Sequence, residues 1–296
     1  MGAVRGFRDL AMRIAVLLPF AFLGAGALGP ILAAGPVLAQ STEEDLQRFN
    51  TLTRMAETFD IMRLEGLEND KSLAEDLFGN ADDPTWARSL DKVYSLSRMS
   101  ETYETAMRDL LEKDPTLVAD ASVFLGSDLG QRIIGLELEA RRTSLDPMAM
   151  GAAQEVYSEM QRTDTERLAL IERLVVAADL IEGNVSTALN ANVAFSRAMA
   201  AASAPGQAVD EDQLLANVWA QEADIRTQVA EFVYPLMTLA YSPLSTEDLT
   251  AYVDFFESDV GQRFNLVVMA SFEPVMIDLS AHLGAEAGRL MSGQVL

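Results

Sequence analysis

Apolar side chains recur at three- and four-residue spacing along most of the chain. One stripe comprises Leu46, Phe49, Leu52, Met55, Phe59 and Met62. A second comprises Trp86, Leu90, Val93, Leu96, Met99, Tyr103, Met107 and Leu110. This spacing places the apolar residues of each stripe on one face of an α-helix. No stretch shows the sustained alternation of a half-buried strand, so the sequence predicts an all-α fold.

Two nine-residue segments, 131 positions apart, have nearly the same sequence. Residues 124–132 read FLGSDLGQR and residues 255–263 read FFESDVGQR, so six of the nine positions are identical. We call them the corner segments. Their identical residues are Phe124, Ser127, Asp128, Gly130, Gln131 and Arg132 in the first, and Phe255, Ser258, Asp259, Gly261, Gln262 and Arg263 in the second. Such a match predicts an internal duplication into two related helical units.

Each corner segment is expected to form the end of one helix, a tight corner and the start of the next helix. The Ser-Asp pairs 127–128 and 258–259 suit a helix N-terminus, where a side-chain oxygen accepts a backbone N–H. Gly130 and Gly261 then fall in the first helical turn, where glycine costs roughly 1 kcal/mol relative to alanine. Its presence in both segments predicts a backbone approach that leaves no room for a Cβ. The predicted role of the repeated residues is therefore structural.

The helices that precede the corners are also expected to begin at equivalent positions. Asp114 and Ser245 lie 131 residues apart, and each is predicted to cap the helix that leads into its corner. Further breaks are predicted at Gly183-Asn184 and in the linker 203–207. The sequence thus divides into a signal peptide at 1–39, a helical unit at 40–145 and a second helical unit at 146–296.

The first 39 residues have the pattern of a secretory signal peptide. Three arginines precede an apolar stretch at 14–28, and Val37-Leu38-Ala39 matches a small-x-small cleavage site. Cleavage between Ala39 and Gln40 predicts export to the periplasm, whether translation starts at Met1 or Met12. The alternative, a retained membrane anchor, is disfavoured by two prolines and by the cleavage site, so no stable membrane span is expected after cleavage.

The mature chain would be strongly acidic. Losing three Arg and one Asp with the signal changes the formal charge from −23 to about −25. The negative electrostatic field of such a chain repels nucleic-acid phosphates, so no nucleic-acid partner is expected. The chain has no cysteine, so helix packing rather than disulfides must stabilise it.

Few residues offer catalytic chemistry. Without cysteine, a Cys/His nucleophile or thiolate zinc site is impossible, and the lone His282 is expected near the end of the last helix, as a C-terminal capping or surface residue. Ser89 and Lys92 match S-x-x-K, but the companion motifs are missing. The acidic clusters 82–83 and 210–212 precede predicted helices, where carboxylates favour the helix dipole. No catalytic residue, metal ligand or cofactor site is predicted.

The second corner segment also carries a family resemblance. Residues 244–249 read LSTEDL, and Tyr252 and residues 255–263 follow. This run resembles the C-terminal signature of the DUF2059 family, in which an acidic capped helix precedes F-Y-E-S-P-x-G. Asp259 replaces the usual proline and Phe256 the usual tyrosine. The resemblance implies an exported bacterial helical domain, in two diverged copies here, and implies no activity.

The sequence therefore favours a non-enzymatic binding or interaction protein of the cell envelope. Its partner would be a protein, or an apolar or cationic ligand held between the two units, and self-association into a homo-oligomer is left open. The alternative is a carboxylate-dependent hydrolase acting on cell-envelope material. A buried carboxylate pair with raised pKa values, placed in a cleft, would favour that alternative.

Overall fold

The protein consists of thirteen α-helices in the part of the chain that the structure describes. The structure is a computed structural model that describes residues 36–80 and 83–293, so most of the predicted signal peptide lies outside the described residues. The helices are α1 (Pro36–Leu52), α2 (Met55–Phe78), α3 (Pro84–Val93), α4 (Leu96–Lys113), α5 (Leu117–Leu125), α6 (Asp128–Thr143), α7 (Pro147–Thr163), α8 (Thr165–Ala177), α9 (Leu180–Ser203), α10 (Glu211–Trp219), α11 (Glu222–Tyr241), α12 (Thr246–Glu257) and α13 (Asp259–Met291). No strand occurs among these residues, and the all-α prediction is confirmed.

Side-chain caps begin several helices where the sequence predicts them. The Ser245 hydroxyl accepts the backbone N–H of Asp248 at 3.1 Å and so starts α12. The prediction that Asp114 caps α5 is wrong, because Asp114 ends α4 and Thr116 precedes α5 without a side-chain cap. The Asp114 carboxylate instead binds Arg263, 149 positions along the chain, at 2.8 Å. A tertiary ion pair has therefore replaced the local cap.

Two sharp junctions use residues in the left-handed region of backbone space. Arg54 has φ 52° between α1 and α2, and Asp179 has φ 48° between α8 and α9. Positive φ is uncommon for residues other than glycine. The predicted break at Gly183-Asn184 is wrong, because both residues lie inside α9 and the chain turns one helical turn earlier, at Asp179. The Asn184 side chain donates to the Leu180 carbonyl, so the helix satisfies its donor locally.

The buried apolar residues of both predicted units belong to one connected core. It runs from Leu46 near the end of α1 to Ala287 in α13. The boundary predicted at 145/146 falls in the short turn between α6 and α7, yet burial is continuous across it. The halves therefore stabilise one another rather than forming separate cores.

The longest helix, α13, is central to this core. It packs along α9, where a Cβ at Gly284 or Gly288 would overlap the carbonyl oxygen of Phe195 or Met199. Among the described residues, α13 is the one helix long and apolar enough to cross a membrane, and 56% of its most apolar window is buried inside the protein. A buried core helix has the same composition, and the packing of α13 against α9 and α4 is that of a core helix.

Candidate functional site

The candidate site is a cavity of about 60 Å³ between the two predicted units. One side comes from the α1–α2 junction, from α2 and from α6, and the other side comes from α12 and α13. The lining residues are Thr53, Met55, Thr58, Leu125, Ile134, Glu137, Leu138, Arg141, Tyr252, Phe264 and Val268. Most of these side chains are apolar, so the few polar groups in the wall dominate its chemistry.

Glu137, on α6, is the most perturbed acid of the cavity. Its Oε1 accepts hydrogen bonds from the hydroxyls of Tyr241 and Tyr252, both at 2.6 Å. Burial raises the pKa of Glu137 from 4.5 to about 7, and the two tyrosines and Arg141 offset only part of that shift. Glu137 lines the cavity and is partly exposed, and no hydrogen bond to its Oε2 occurs among the described residues. Glu137 therefore changes charge near neutral pH and presents one free oxygen.

The two tyrosines remain donors under ordinary conditions. Burial, followed by the nearby Glu137 charge, raises the pKa of Tyr241 and of Tyr252 well above 10. Both hydroxyls therefore keep their protons and point them at the same carboxylate oxygen. They belong to α11 and α12, whereas Glu137 belongs to α6, so this hydrogen-bonded group joins the two predicted units.

Arg141, one helical turn beyond Glu137, is bound to a second acid, Glu65, which is buried. Its Nε donates to Glu65 Oε1 at 3.0 Å and its Nη2 donates to Glu65 Oε2. The side chains are 3% and 2% exposed. Burial raises the pKa of Glu65, and the charge and hydrogen bonds of Arg141 oppose that rise. This bidentate pair joins α6 to α2 and leaves Arg141 largely neutralised beside the cavity.

The arrangement meets only part of what a hydrolase requires. A carboxyl group with a pKa near 7 is suited to general acid–base catalysis. Sites that bind small molecules generally enclose about 300 Å³ or more, so this cavity of about 60 Å³ by itself holds only a group of a few atoms. Within residues 36–80 and 83–293, no group of three or more His, Cys, Asp or Glu side chains is placed to hold a metal ion. Glu65 is buried as that alternative requires, whereas Glu137 is only partly buried, and the space beside them does not fit a polymeric substrate.

Each corner segment forms the end of one helix, a tight corner and the start of the next helix, as predicted. The Ser127 hydroxyl accepts the N–H of Gly130 at 3.0 Å, and the Ser258 hydroxyl accepts the N–H of Gly261 at 3.1 Å. A Cβ at either glycine would overlap the carbonyl oxygen at the end of the preceding helix, that of Phe124 or Phe255. The predicted close approach is confirmed, and both glycines are required by packing.

The repeated glutamines have a role that the sequence did not suggest. Gln131 donates to the carbonyls of Leu125 and Leu52, and Gln262 donates to those of Phe256 and Ala177. Each glutamine ties its corner to the end of an earlier helix, just before a left-handed junction. Asp128 and Asp259 are exposed in the first turns of their helices.

The two corner segments also contact each other and the helix that leads into the other corner. The rings of Phe124 and Phe255 stack with centroids 4.5 Å apart. Arg132 reaches Asp248 at the start of α12, and Arg263 reaches Asp120 at the start of α5. These reciprocal contacts fit a two-fold relationship between the halves, and the duplication itself stays a prediction.

The other residues considered for catalysis or metal binding lie on the surface, in hydrogen bonds or at helix caps. His282 is half-exposed on α13 beside Asp278, and α13 continues to Met291, so this histidine is a surface residue and does not cap the helix. Ser89 donates to Glu286 at 3.0 Å, and Asp83 caps α3. Asp210 caps α10. The predicted cleavage site, Ala39-Gln40, falls in the first turns of α1, and the residues before Pro36 lie outside the described part of the chain.

Sequence reasoning missed the residues of the cavity. Glu137 lies four positions after buried Ile133, and Glu65 lies four positions after buried Ile61, so both acids interrupt apolar stripes. A charged residue in an apolar stripe signals a buried partner. That signal was present in the sequence, but 44 acids in the predicted mature chain made it hard to distinguish, and only the fold brings Tyr241 and Tyr252 to Glu137.

Comparison with known proteins adds no family. No family model matches the chain, and no match was found among curated proteins or among solved structures. The resemblance to DUF2059 thus rests on the residues around the second corner segment alone.

Proposed function

We propose that the protein is a non-enzymatic binding protein of the cell envelope, exported to the periplasm, which holds a small ligand between its two helical halves. The observation that carries this proposal is the cavity beside Glu137, whose walls come from both halves. A groove or cavity between packed helical units is a common place for ligands. The resemblance to exported DUF2059 domains and the signal-like residues 1–39 support the compartment.

The second candidate, a carboxylate-dependent hydrolase of cell-envelope material, is favoured by one observation. Glu137 has a pKa of about 7, which is the property of a general acid. Retaining and inverting glycosidases need two carboxyl groups on opposite sides of a bound sugar. Here the second acid, Glu65, is buried and occupied by Arg141, and the cavity has no room for a sugar ring with its neighbours. Binding therefore accounts for more of the geometry than hydrolysis does.

Binding can be tested through Met55, whose side chain lines the cavity. We would label the methionine methyl groups with ¹³C and record NMR spectra against a set of small amines, acids, alcohols and amides. We expect a saturable shift of the Met55 methyl signal, with the compound recovered unchanged. The matched control is Met148, which is 81% exposed on α7 and should not shift.

Export and catalysis each have a separate measurement. The full chain expressed in bacteria is expected in the osmotic-shock fraction with Gln40 as its first residue, and a full-length chain retained in the cytoplasm would contradict export. Release of soluble fragments from purified cell-wall polymer, abolished by Glu137→Gln, would contradict the non-enzymatic proposal and establish the hydrolase instead.

A further inference from the structure

A surface groove adjoins the wall of the Glu137 cavity. It has a volume of about 390 Å³ and is lined by residues of α1, α2 and α4, among them Asn50, Phe59 and Glu104. Met55 lines both the groove and the cavity, so its side chain is the shared wall. It directly follows the left-handed residue Arg54, where the chain turns from α1 into α2. Together the two spaces fall within the size range of small-molecule sites.

The cations around these spaces are already paired. Arg141 binds Glu65 in a bidentate pair, and Arg54 and Arg142 both bind Glu57. Among the described residues, no cation forms an ion pair with Glu137, whose hydrogen bonds come from the two tyrosines. The groups around its carboxyl group are Tyr241 on α11, Tyr252 on α12, and on its own helix Arg141, whose charge is neutralised by Glu65 of α2. The uncompensated group of the site is thus a carboxyl group.

Other wall residues also favour a positive charge. The aromatic rings of Tyr252 and Phe264 border the cavity, and the face of such a ring attracts an organic cation. Thr58, whose side chain carries a hydroxyl oxygen, also lines the cavity. In the groove, Glu104 makes no ion pair among the described residues. A cavity of about 60 Å³ is small, which suits a compact ammonium head group.

We propose that the groove and cavity form one binding site for a small organic cation, an alkylammonium compound with a short apolar tail. The ammonium group lies against Glu137 Oε2 and the rings of Tyr252 and Phe264. The tail lies past Met55 in the groove, beside Phe59. This inference rests on the proposed binding function and gives the chemical class of its ligand.

The test is calorimetric titration with n-hexylammonium at pH 6 and pH 8, with 1-hexanol as the neutral analogue. The ionised fraction of Glu137 rises from about one-tenth to about nine-tenths over this range, because its pKa is about 7. The probe stays charged throughout, as a lysine side chain does. We expect binding to the wild type to be about tenfold tighter at pH 8 than at pH 6.

Two variants localise the effect. Glu137→Gln keeps the size of the side chain and the acceptor for the two tyrosines, so it should fold, and it should lose at least about tenfold in affinity at pH 8 and all of the pH dependence. Glu104→Gln is the matched control, since it also removes a carboxylate but from the solvent-exposed groove. It should lose only about two- to threefold, because exposed charges are screened.

The outcomes separate this inference from the proposed function. If 1-hexanol binds as tightly as n-hexylammonium, or if Glu137→Gln binds the amine as the wild type does, the cation inference is overturned while ligand binding stands. If neither compound binds while another compound of the set shifts the Met55 methyl signal, the cation inference is overturned and ligand binding stands; if no compound of the set shifts that signal, both fall. A last variant, Met55→Ala, should speed association several-fold by removing the shared wall, and an unchanged association rate would contradict entry through the groove.

Discussion

Helices α6 and α13 follow nearly identical corners and then differ in chemistry. Glu137 on α6 corresponds to Val268 on α13, 131 positions later. At the same offset, Arg141 on α6 corresponds to Phe272 on α13. Val268 lines the cavity opposite Glu137, and Phe272 is fully buried in the aromatic core. The shared corner residues build the fold. The residues that differ place two charged groups on one helix and apolar groups on the other.

This difference locates the candidate site in what the halves do not share. A perfectly symmetric pair of helices would make either two charged sites or one apolar core. Here the cavity is charged on one side and apolar on the other, and the tyrosines that serve Glu137 come from the second half. The asymmetry explains why the densest repeat in the sequence carries no chemistry.

The largest expected effect comes from breaking the ion pair of α6. Arg141→Met leaves Glu65 buried without its partner, so we expect a loss of about 3–5 kcal/mol in the free energy of unfolding at pH 7. Urea denaturation measures it. The control is Arg142→Met on the same helix, whose partly exposed pair with Glu57 should contribute less than about 1 kcal/mol. Equal losses in the two variants would show that the buried pair has no special role.

Removing the charge of Glu137 should have the opposite sign. Its pKa is raised from 4.5 to about 7, so the folded state holds a proton over that range that the unfolded state has released. The contribution to stability is full below about pH 4.5 and is lost as the pH rises to about 7, by about 3 kcal/mol at most. Glu137→Gln should therefore match the wild type at pH 4.5 and be more stable at pH 8, by up to that amount.

This prediction is checked by urea unfolding of both proteins at pH 4.5, 6 and 8. The difference between the two curves isolates Glu137 from other acids, including Glu65, whose raised pKa affects both proteins equally. A variant that is less stable than the wild type at pH 8 would contradict the assignment, since it would mean that the ionised carboxylate stabilises the fold.

A smaller effect is expected at the corner that the two helices share. Gly261→Ala would place a methyl group on the Phe255 carbonyl, so we expect a loss of about 2 kcal/mol, measured by thermal and urea unfolding. Gly151→Ala, at an open position inside α7, is the control and should gain up to about 1 kcal/mol from helix propensity. A wild-type melting temperature for Gly261→Ala would show that the corner tolerates a Cβ.

The smallest effect concerns the tyrosine donors. Tyr241→Phe removes one hydrogen bond to Glu137 and should cost about 1 kcal/mol. Because that bond favours the ionised carboxylate, its loss should raise the pKa of Glu137 further, which ¹³C NMR of the glutamate carboxyl signals would follow. Tyr252→Phe should act in the same direction, since both hydroxyls serve Oε1. A pKa that falls in either variant would contradict this role.

Local rules predicted much of the fold. The apolar stripes indicated helices, and Ser127, Ser245 and Ser258 cap helices as expected because a cap needs only neighbours within three residues. Asp114 failed that expectation because α5 begins only at Leu117, after Thr116, and the Asp114 carboxylate binds Arg263. The turn before α9 was misplaced because Asp179 adopts a left-handed conformation that its residue type does not require.

The sequence by itself determined the all-helical class, the corner segments with their caps and close-packed glycines, and the absence of thiol chemistry. These follow from periodicity, residue type and short-range hydrogen bonding. Only the tertiary structure decided that Glu137 accepts hydrogen bonds from two tyrosines more than a hundred residues away. It also decided that Arg141 forms an ion pair with Glu65, and that a cavity remains between the halves. The pKa of a carboxyl group depends on burial and on neighbours from several helices, and no local pattern specifies those.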